Sequence, residues 1–576
     1  MQIDILTQLN DFNSQRNQQT GEYILTVPVL ELEGEYIINS KKNITITSKF
    51  QTILKCQKLI ITTDKSVNIN NISFEAKILV YNSSNVIFSN CSISNKSGNS
   101  NGALIFHNTQ SASLSHITVT NTANIPSVYI YNSNVSASNL TISKGNESLF
   151  VCKNNSTVYL KDSTLNDTHA NAIYCKESHL KIENCNIYNT EYPAIFSVNS
   201  VAEILNNVVQ NVSQNGISLT NCKDCKVVGN RLTRIKSSSI VFIDCSTGII
   251  QENQINEAGG NGIYLGNKSD VTISRNQIQN VEYPGIAITM NSKAIISDNK
   301  ITNSKCNGIC ARCASDVKIE DCDLSDIEEC GISISDTENC TIVNNCISNC
   351  KANAIEAYNR SKVNFYGNKI TNIQGSVFYV FTSAFVKAEN NKIEKIGNAL
   401  FKVIFKGGGE FINNDVKNCT RQIDGQTSSQ YFMLGNGEFK GVTNIESRKS
   451  ENVVFDDAKI SDENILCLKC NRKQRDAVLI DCGHKVYCTE CAEKALNNRE
   501  KCPLCKFDIL SIVRDLHLPS EMKCKLCGSN GHSCIITPCG HIPSGFCEKC
   551  IQRWYVNTQN CPVCVKSPST YKVINE

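Results

Sequence analysis

The feature that most limits what this chain can fold into is a period. After Asn207 come Asn230, Asn253, Asn276, Asn299, Cys322, Asn345, Asn368, Asn391 and Asn414, each 23 residues beyond the last. An apolar residue follows two places after the anchor, as in Asn276-Gln-Ile278, Asn299-Lys-Ile301 and Asn368-Lys-Ile370. Two alternations precede it, Val271-Thr-Ile273 and Ile263-Tyr-Leu265 in one repeat, usually with Gly before the earlier one (Gly216, Gly262, Gly285, Gly308, Gly331). Alternation with period two marks strands with one buried side. Three short strands per period bury their apolar rows if each pairs in parallel with its equivalent one turn away. Asn at the anchor suits a tight bend, because it tolerates left-handed backbone angles, and stacked amides can hydrogen-bond up the ladder. Gly before the first strand serves the next corner. About sixteen turns at roughly 4.8 Å predict a rod about 75 Å long.

The same grammar runs upstream with looser spacing, as in Val158-Tyr-Leu160 before Leu165 and Val86-Ile-Phe88 before Ile93. The repeat resembles the right-handed parallel β-helix of pectate-lyase-like proteins over about residues 23–420, and lacks the Leu-x-x-Leu-x-Leu of a leucine-rich horseshoe. The fold class is therefore mainly β, a solenoid over 23–445 whose last turn, after 421, is irregular. Residues 1–22 read as a helical cap for the open end, with Ile5, Leu9 and Phe12 on one face.

Resemblance to polysaccharide-cleaving enzymes raises the question of catalysis in the rod. Such chemistry needs paired carboxylates. Asp298 and Asp321 should stack one turn apart, about 5 Å, with Arg275 and Asp323 beside them. Arg234-Ile-Lys236 is similar to part of a polygalacturonase motif, but no Gly-His-Gly or Asp-Asp accompanies it. The four histidines of the rod (His107, His116, His169, His179) lie several turns away, and the outward row through Cys310, Ser333 and Tyr379 holds the lone acid Glu356. Solvated turn acids are the better reading, with a carbohydrate-active rod as the lesser alternative. The rod cysteines, including the pairs Cys222/Cys225 and Cys310/Cys313, read as small core residues rather than metal ligands.

After a linker at 446–464, metal-ligating residues recur in a fixed order. Cys467, Cys470, Cys482, His484, Cys488, Cys491, Cys502 and Cys505 form one set. Cys524, Cys527, Cys539, His541, Cys547, Cys550, Cys561 and Cys564 form a second. Zinc takes four thiolate or imidazole ligands, so sixteen ligands make four closed, structural sites with no position for substrate. No catalytic nucleophile is expected.

The spacing C-x2-C-x11-C-x-H-x3-C-x2-C-x10-C-x2-C resembles a RING finger, over residues 465–508 and again over 522–567. The resemblance implies that Cys467, Cys470, Cys488 and Cys491 hold one zinc, and Cys482, His484, Cys502 and Cys505 the next. In the second module five residues separate His541 from Cys547, more than is usual, so Cys534 or His532 could take the place of His541. RING fingers of this type bind a ubiquitin-conjugating enzyme and orient its ubiquitin thioester. The residues that would dock that enzyme are Leu526, Trp554 and Pro562 in the second module, and Leu468, Pro503 and Lys506 in the first. The function so implied is a RING-type ubiquitin ligase whose β-helix selects a protein or glycan target, with a non-ligase zinc adaptor as the alternative.

Charge adds one limit: 57 basic and 54 acidic residues leave a net +3, which gives no whole-chain drive toward nucleic acid. No signal-like start and no apolar run of about 18 residues is present, so an intracellular, cytoplasmic protein without a membrane span is expected, its thiols reduced.

Overall fold

The computed structural model describes residues 3–425 apart from short gaps, the strand Gln430–Leu434, and, further on, parts of 466–513 with the strands Cys534–Thr537 and Thr570–Val573. The chain divides into two compact units, Met1–Ile445 and Glu446–Glu576.

The first unit is a parallel β-solenoid of about 17 turns. Each coil contributes three strands, for example Ile263–Gly266, Asp270–Ser274 and Gln277–Val281. Each pairs in parallel with its equivalent 23 residues on: Ile263 opposite Ile286, Val271 opposite Ala294 and Ile278 opposite Ile301. Three ladders result, called first, second and third in chain order. The first and third join where a single strand carries through the corner between them, in Ile53–Ile61, Ser73–Tyr81, Lys392–Val403 and Asp415–Gly425. Register slips occur between Lys55 and Lys58 and between Ile396 and Ala399.

Inward rows of Ile, Val and Leu form one continuous core, widened by Phe74, Phe88 and Phe106, packed edge to face near one end, and by Phe378, Phe401 and Phe411 near the other. Rod cysteines such as Cys222, Cys225, Cys245 and Cys340 fill this core as expected, whereas Cys313 and Cys346 are exposed.

The anchors behave differently from expectation in one respect. The left-handed angle belongs to the residue before each anchor (Glu252, φ 56°; Arg275, φ 52°; Asp298, φ 55°), not to the anchor. The bend therefore turns each anchor amide inward, where Asn253 and Asn276 are fully buried. There the Asn276 Oδ1 accepts the backbone N–H of Asn253 at 3.0 Å and its Nδ2–H at 2.9 Å, while the Asn276 Nδ2 donates to the Ile250 carbonyl at 2.9 Å. The column repeats from Asn207 to Asn414 and is broken at Cys322, where Asn299 Nδ2 keeps its bonds to the Ile273 and Ser297 carbonyls but finds Sγ, at 3.9 Å, in place of an amide oxygen. A serine column serves the corner between the first and second ladders: Ser133, Ser156 and Ser178 each give their N–H to the next serine Oγ at 3.1–3.2 Å. Gly262 and Gly285 are required by close stacking rather than by a turn angle, since a Cβ on Gly262 would lie 2.6 Å from the Gly285 carbonyl.

The expected helical cap is mixed. Residues 5, 6 and 9 are helical, and Ile5 and Leu9 are buried in the core. Ile3–Asp4 instead pairs in parallel with Glu35–Ile38, and Ser14–Asn17 runs antiparallel to Glu22–Leu25. A strand here uses backbone donors that a helix would have consumed internally. Phe12 lies outside the described residues.

Glu356 projects from the first ladder into a desolvated spot, where its Oε2 accepts the Ser333 hydroxyl at 3.2 Å. Burial pushes its carboxyl up to about 6. The folded state thus favours the neutral acid, and stability falls as pH rises from below the ordinary carboxylate value through 6. Glu356→Gln should raise the solenoid's stability by about 1–2 kcal/mol at pH 8 and leave it unchanged at pH 4, read by denaturant melts. Cys322→Asn, which completes the amide column, should add about 1 kcal/mol, and Asn276→Ala should remove roughly 2–3 kcal/mol, both read by calorimetry.

Candidate metal centre

In the second unit, four thiols that the spacing links in sequence converge in space. The Sγ atoms of Cys467, Cys470, Cys488 and Cys491 all lie within 4.8 Å of one another, and Cys470 Sγ is 3.9 Å from Cys488 Sγ. Thiolates arranged tetrahedrally about zinc at about 2.3 Å would be about 3.8 Å apart. The donor set and its geometry fit that ion.

Local structure explains the convergence. The turn bearing Cys467 and Cys470 is closed by Cys467 N–H to the Lys473 carbonyl at 2.8 Å and by Leu468 N–H to the Val486 carbonyl at 3.0 Å. Cys488 has extended angles (φ −72°, ψ 158°) and caps the helix Thr489–Asn497, so that Cys491 in the first turn returns to the same side. Glu490 in the first turn and Lys494 in the last suit the helix dipole. The helix buries Cys491, Ala492 and Ala495 against Ala477, Leu479, Val486, Tyr487 and Ile509. Backbone N–H groups of Arg472 and Lys473 hold the Cys470 thiol down at about 6, which favours the thiolate a metal requires.

Around the centre, Lys469 pairs with Glu500 at 2.6 Å and its ammonium lies 5.9 Å from the centroid of the Tyr487 ring. Lys473 pairs with Glu490. Leu468 is 48% exposed, and Leu466 beside it is 37% exposed. Pro503 is half-buried. Val478–Leu479 pairs antiparallel with Ile512–Val513, so ordered structure continues past residue 508. Further on, Cys534–Thr537, just before Cys539, likewise runs antiparallel to Thr570–Val573, beyond residue 567. Cys482, His484, Cys502, Cys505 and Lys506 lie outside the described residues. So do Cys524, Cys527, Cys539, His541, Cys547, Cys550, Cys561 and Cys564, together with Leu526, Trp554 and Pro562.

In the solenoid, Asp298 and Asp321 are exposed turn residues with left-handed φ, and Arg275 is engaged by Glu252 at 2.9 Å rather than by either of them. Asp323 faces Lys300 at 3.9 Å. These are the properties of solvated turn acids.

A family model described as "Right handed beta helix region" matches residues 148–293 and 238–393. One described as "Zinc finger, C3HC4 type (RING finger)" matches 463–512 and 520–570. RING finger protein 141 of Danio rerio is 43% identical over 47 residues, 8% of this chain and 19% of that protein. Its counterpart from Homo sapiens is 40% identical over the same length and coverage. The chain thus spans about a fifth (19%) of the curated relatives it matches. Among solved structures, the A-module of a mannuronan C-5 epimerase from Azotobacter vinelandii covers 68% of this chain and 91% of its own, at 9% identity and a TM-score of 0.26, too distant to bear on function.

The chain is a parallel β-solenoid followed by tandem C3HC4 RING fingers, with zinc-binding chemistry in the tail. Among the described residues no helix is long and apolar enough to cross a membrane. Cys470→Ser in the intact chain should lower bound zinc by about one equivalent by elemental analysis, and should leave the solenoid's melting transition in place.

Proposed function

We propose that the protein is a RING-type ubiquitin-protein ligase. Its tail would recruit a ubiquitin-conjugating enzyme, its solenoid would select the target, and residues 446–464 would link them. The observation that carries this reading is the four-thiol centre, with Leu468 exposed between two of its ligands. Zinc, when bound, supplies a structural cross-link in a module whose own core is small. With four ions the sixteen ligands of the tail would be filled, and no thiol would serve as nucleophile.

The ligase contributes position. A transfer from the carrier's thioester to a target lysine is accelerated by holding the two in reach, with no covalent step on the ligase. Leu468, fixed by Cys467 and Cys470 on either side, offers an apolar contact to the carrier, and Pro503 a second. Lys469 occupies the position where an apolar residue would be more usual, but its pairing with Glu500 draws its charge away from that contact. The second module offers Leu526, Trp554 and Pro562, a fuller docking set. Lys506 follows the last ligand of the first module, where a cation can steady the carrier's ubiquitin. Division of labour between the modules follows: the second docks and the first activates.

The test incubates the intact protein with ubiquitin, activating enzyme and a panel of conjugating enzymes. Chain formation is expected, with Trp554→Ala or Cys482→Ser reducing it at least about tenfold and Leu468→Glu reducing it less. A zinc-loaded protein inactive with every member of the panel would replace this reading with that of a zinc-dependent adaptor.

A further inference from the structure

The second ladder carries an outward column that changes character midway. Lys226, Ile249, Thr272, Ile295 and Lys318 follow one another in register, and Ile249 and Ile295 are 38% and 49% exposed. The lysines bounding this apolar stretch are already answered within the chain, Lys226 by Glu203 and Lys318 by Glu320, each at 2.7 Å. Beside it runs a column of charges, Asp270, Lys293 and Asp316. Lys293 has an acid one coil away on either side, yet among the described residues none of the three is in an ion pair. Elsewhere on the rod such neighbours do pair, as Lys305 with Glu282 at 2.5 Å and Lys351 with Glu328 at 2.6 Å.

On the other side of the isoleucines, a third outward column reads nearly the same in both directions from a midpoint between Ser274 and Ser297. Those two serines are innermost, and Gln251 and Glu320 come next. Val228 and Val343 follow, and Leu205 and Tyr366 lie outermost, Tyr366 being 42% exposed. A face that mirrors itself about a line is the pattern a two-fold contact requires, because the same patch must serve both partners. An unrelated partner requires no such order.

We infer that this face is an interface between two copies of the chain, their rods antiparallel about a two-fold axis that crosses the ladder between Asp270–Ser274 and Lys293–Ser297. Each residue then faces the one equally far beyond the axis in the second copy. Asp270 meets Lys293 at two symmetric places, Thr272 meets Ile295, Val228 meets Val343, and Leu205 meets Tyr366. Glu203 faces Asn364, Lys226 faces Thr341, and Lys318 lays its stem on Ile249. No like charges oppose one another over the eight coils from Val201–Leu205 to Lys362–Tyr366. Moving the axis by half a coil, onto either central strand, sets Asp270 or Lys293 against its own copy. Coils about 4.8 Å apart and strands of about five residues give a footprint of about 600 Å² per copy, about 1,200 Å² in all, the lower bound for a stable interface. The dimer would stand whether or not the tail is a ligase.

The test is sedimentation velocity of the full, zinc-loaded chain over about 1 to 100 µM, where a monomer–dimer equilibrium is expected for an interface of this size. Lys293→Glu sets an acid against Asp270 of the second copy and should weaken the dimer at least about tenfold. Asp270→Lys alone should do the same. The two substitutions together exchange the charges and should restore association to within about threefold of the parent. A misfolded variant cannot give that restoration, and the solenoid melt of each variant should match the parent's. A chain monomeric throughout the range, association unmoved by Lys293→Glu, or a double exchange that stays monomeric would overturn the inference. So would a dimer lost on zinc chelation while the solenoid melt is intact, since its contact would lie in the tail.

Discussion

From Asn207 to Asn414 each coil but the one at Cys322 turns one corner around a buried primary amide, and this part of the rod depends on how that amide is satisfied. A corner inside a parallel stack leaves backbone N–H and C=O groups facing inward, beyond the reach of water. An unpaired polar group there costs about 1–3 kcal/mol. The anchor asparagine answers with both ends of its side chain, accepting from the anchor of the preceding coil while donating to a carbonyl of that coil and to the anchor amide of the next. Because the amide works only when it meets another one period away, it fixes register as well as energy. A slip of one residue would turn the apolar rows outward and strand the amides together.

The tail solves the opposite problem. The ten buried side chains among its first module's described residues include three alanines and three cysteines, a core of small residues. Four thiols within 4.8 Å of one another would add cohesion when they hold an ion, and the amide donors of the Arg472–Lys473 turn prepare one of them to be a thiolate. One polypeptide thereby combines a rod whose stability sums over neighbouring coils with a thiol centre suited to a metal cross-link.

Much of this is legible in the sequence. The interval between anchors gives the strands, their parallel pairing and the amide column, and the resemblance of the cysteine spacing to a RING finger implies the quartet of Cys467, Cys470, Cys488 and Cys491. What escapes is decided by geometry that spacing does not encode. Which residue of a corner takes the left-handed angle cannot be told when Asn, Asp, Glu, Arg and Gly all occupy the place before the anchor. The serine column is hidden because its interval drifts between 22 and 24 residues, and a buried Ser looks like simple filler. In the opening segment the spacing of Ile5 and Leu9 satisfies a short helical turn, and nothing local announces that Ser14–Asn17 will find a strand to pair with.

The opening edge of the rod bears on self-association. There the antiparallel Ser14–Asn17 lies against Glu22–Leu25, which on its other side pairs in parallel with Ile44–Ser48 of the next coil. A second copy offering a parallel strand to the second ladder would meet an edge of the wrong polarity, and a sheet edge closed in that way resists growth by addition of further chains.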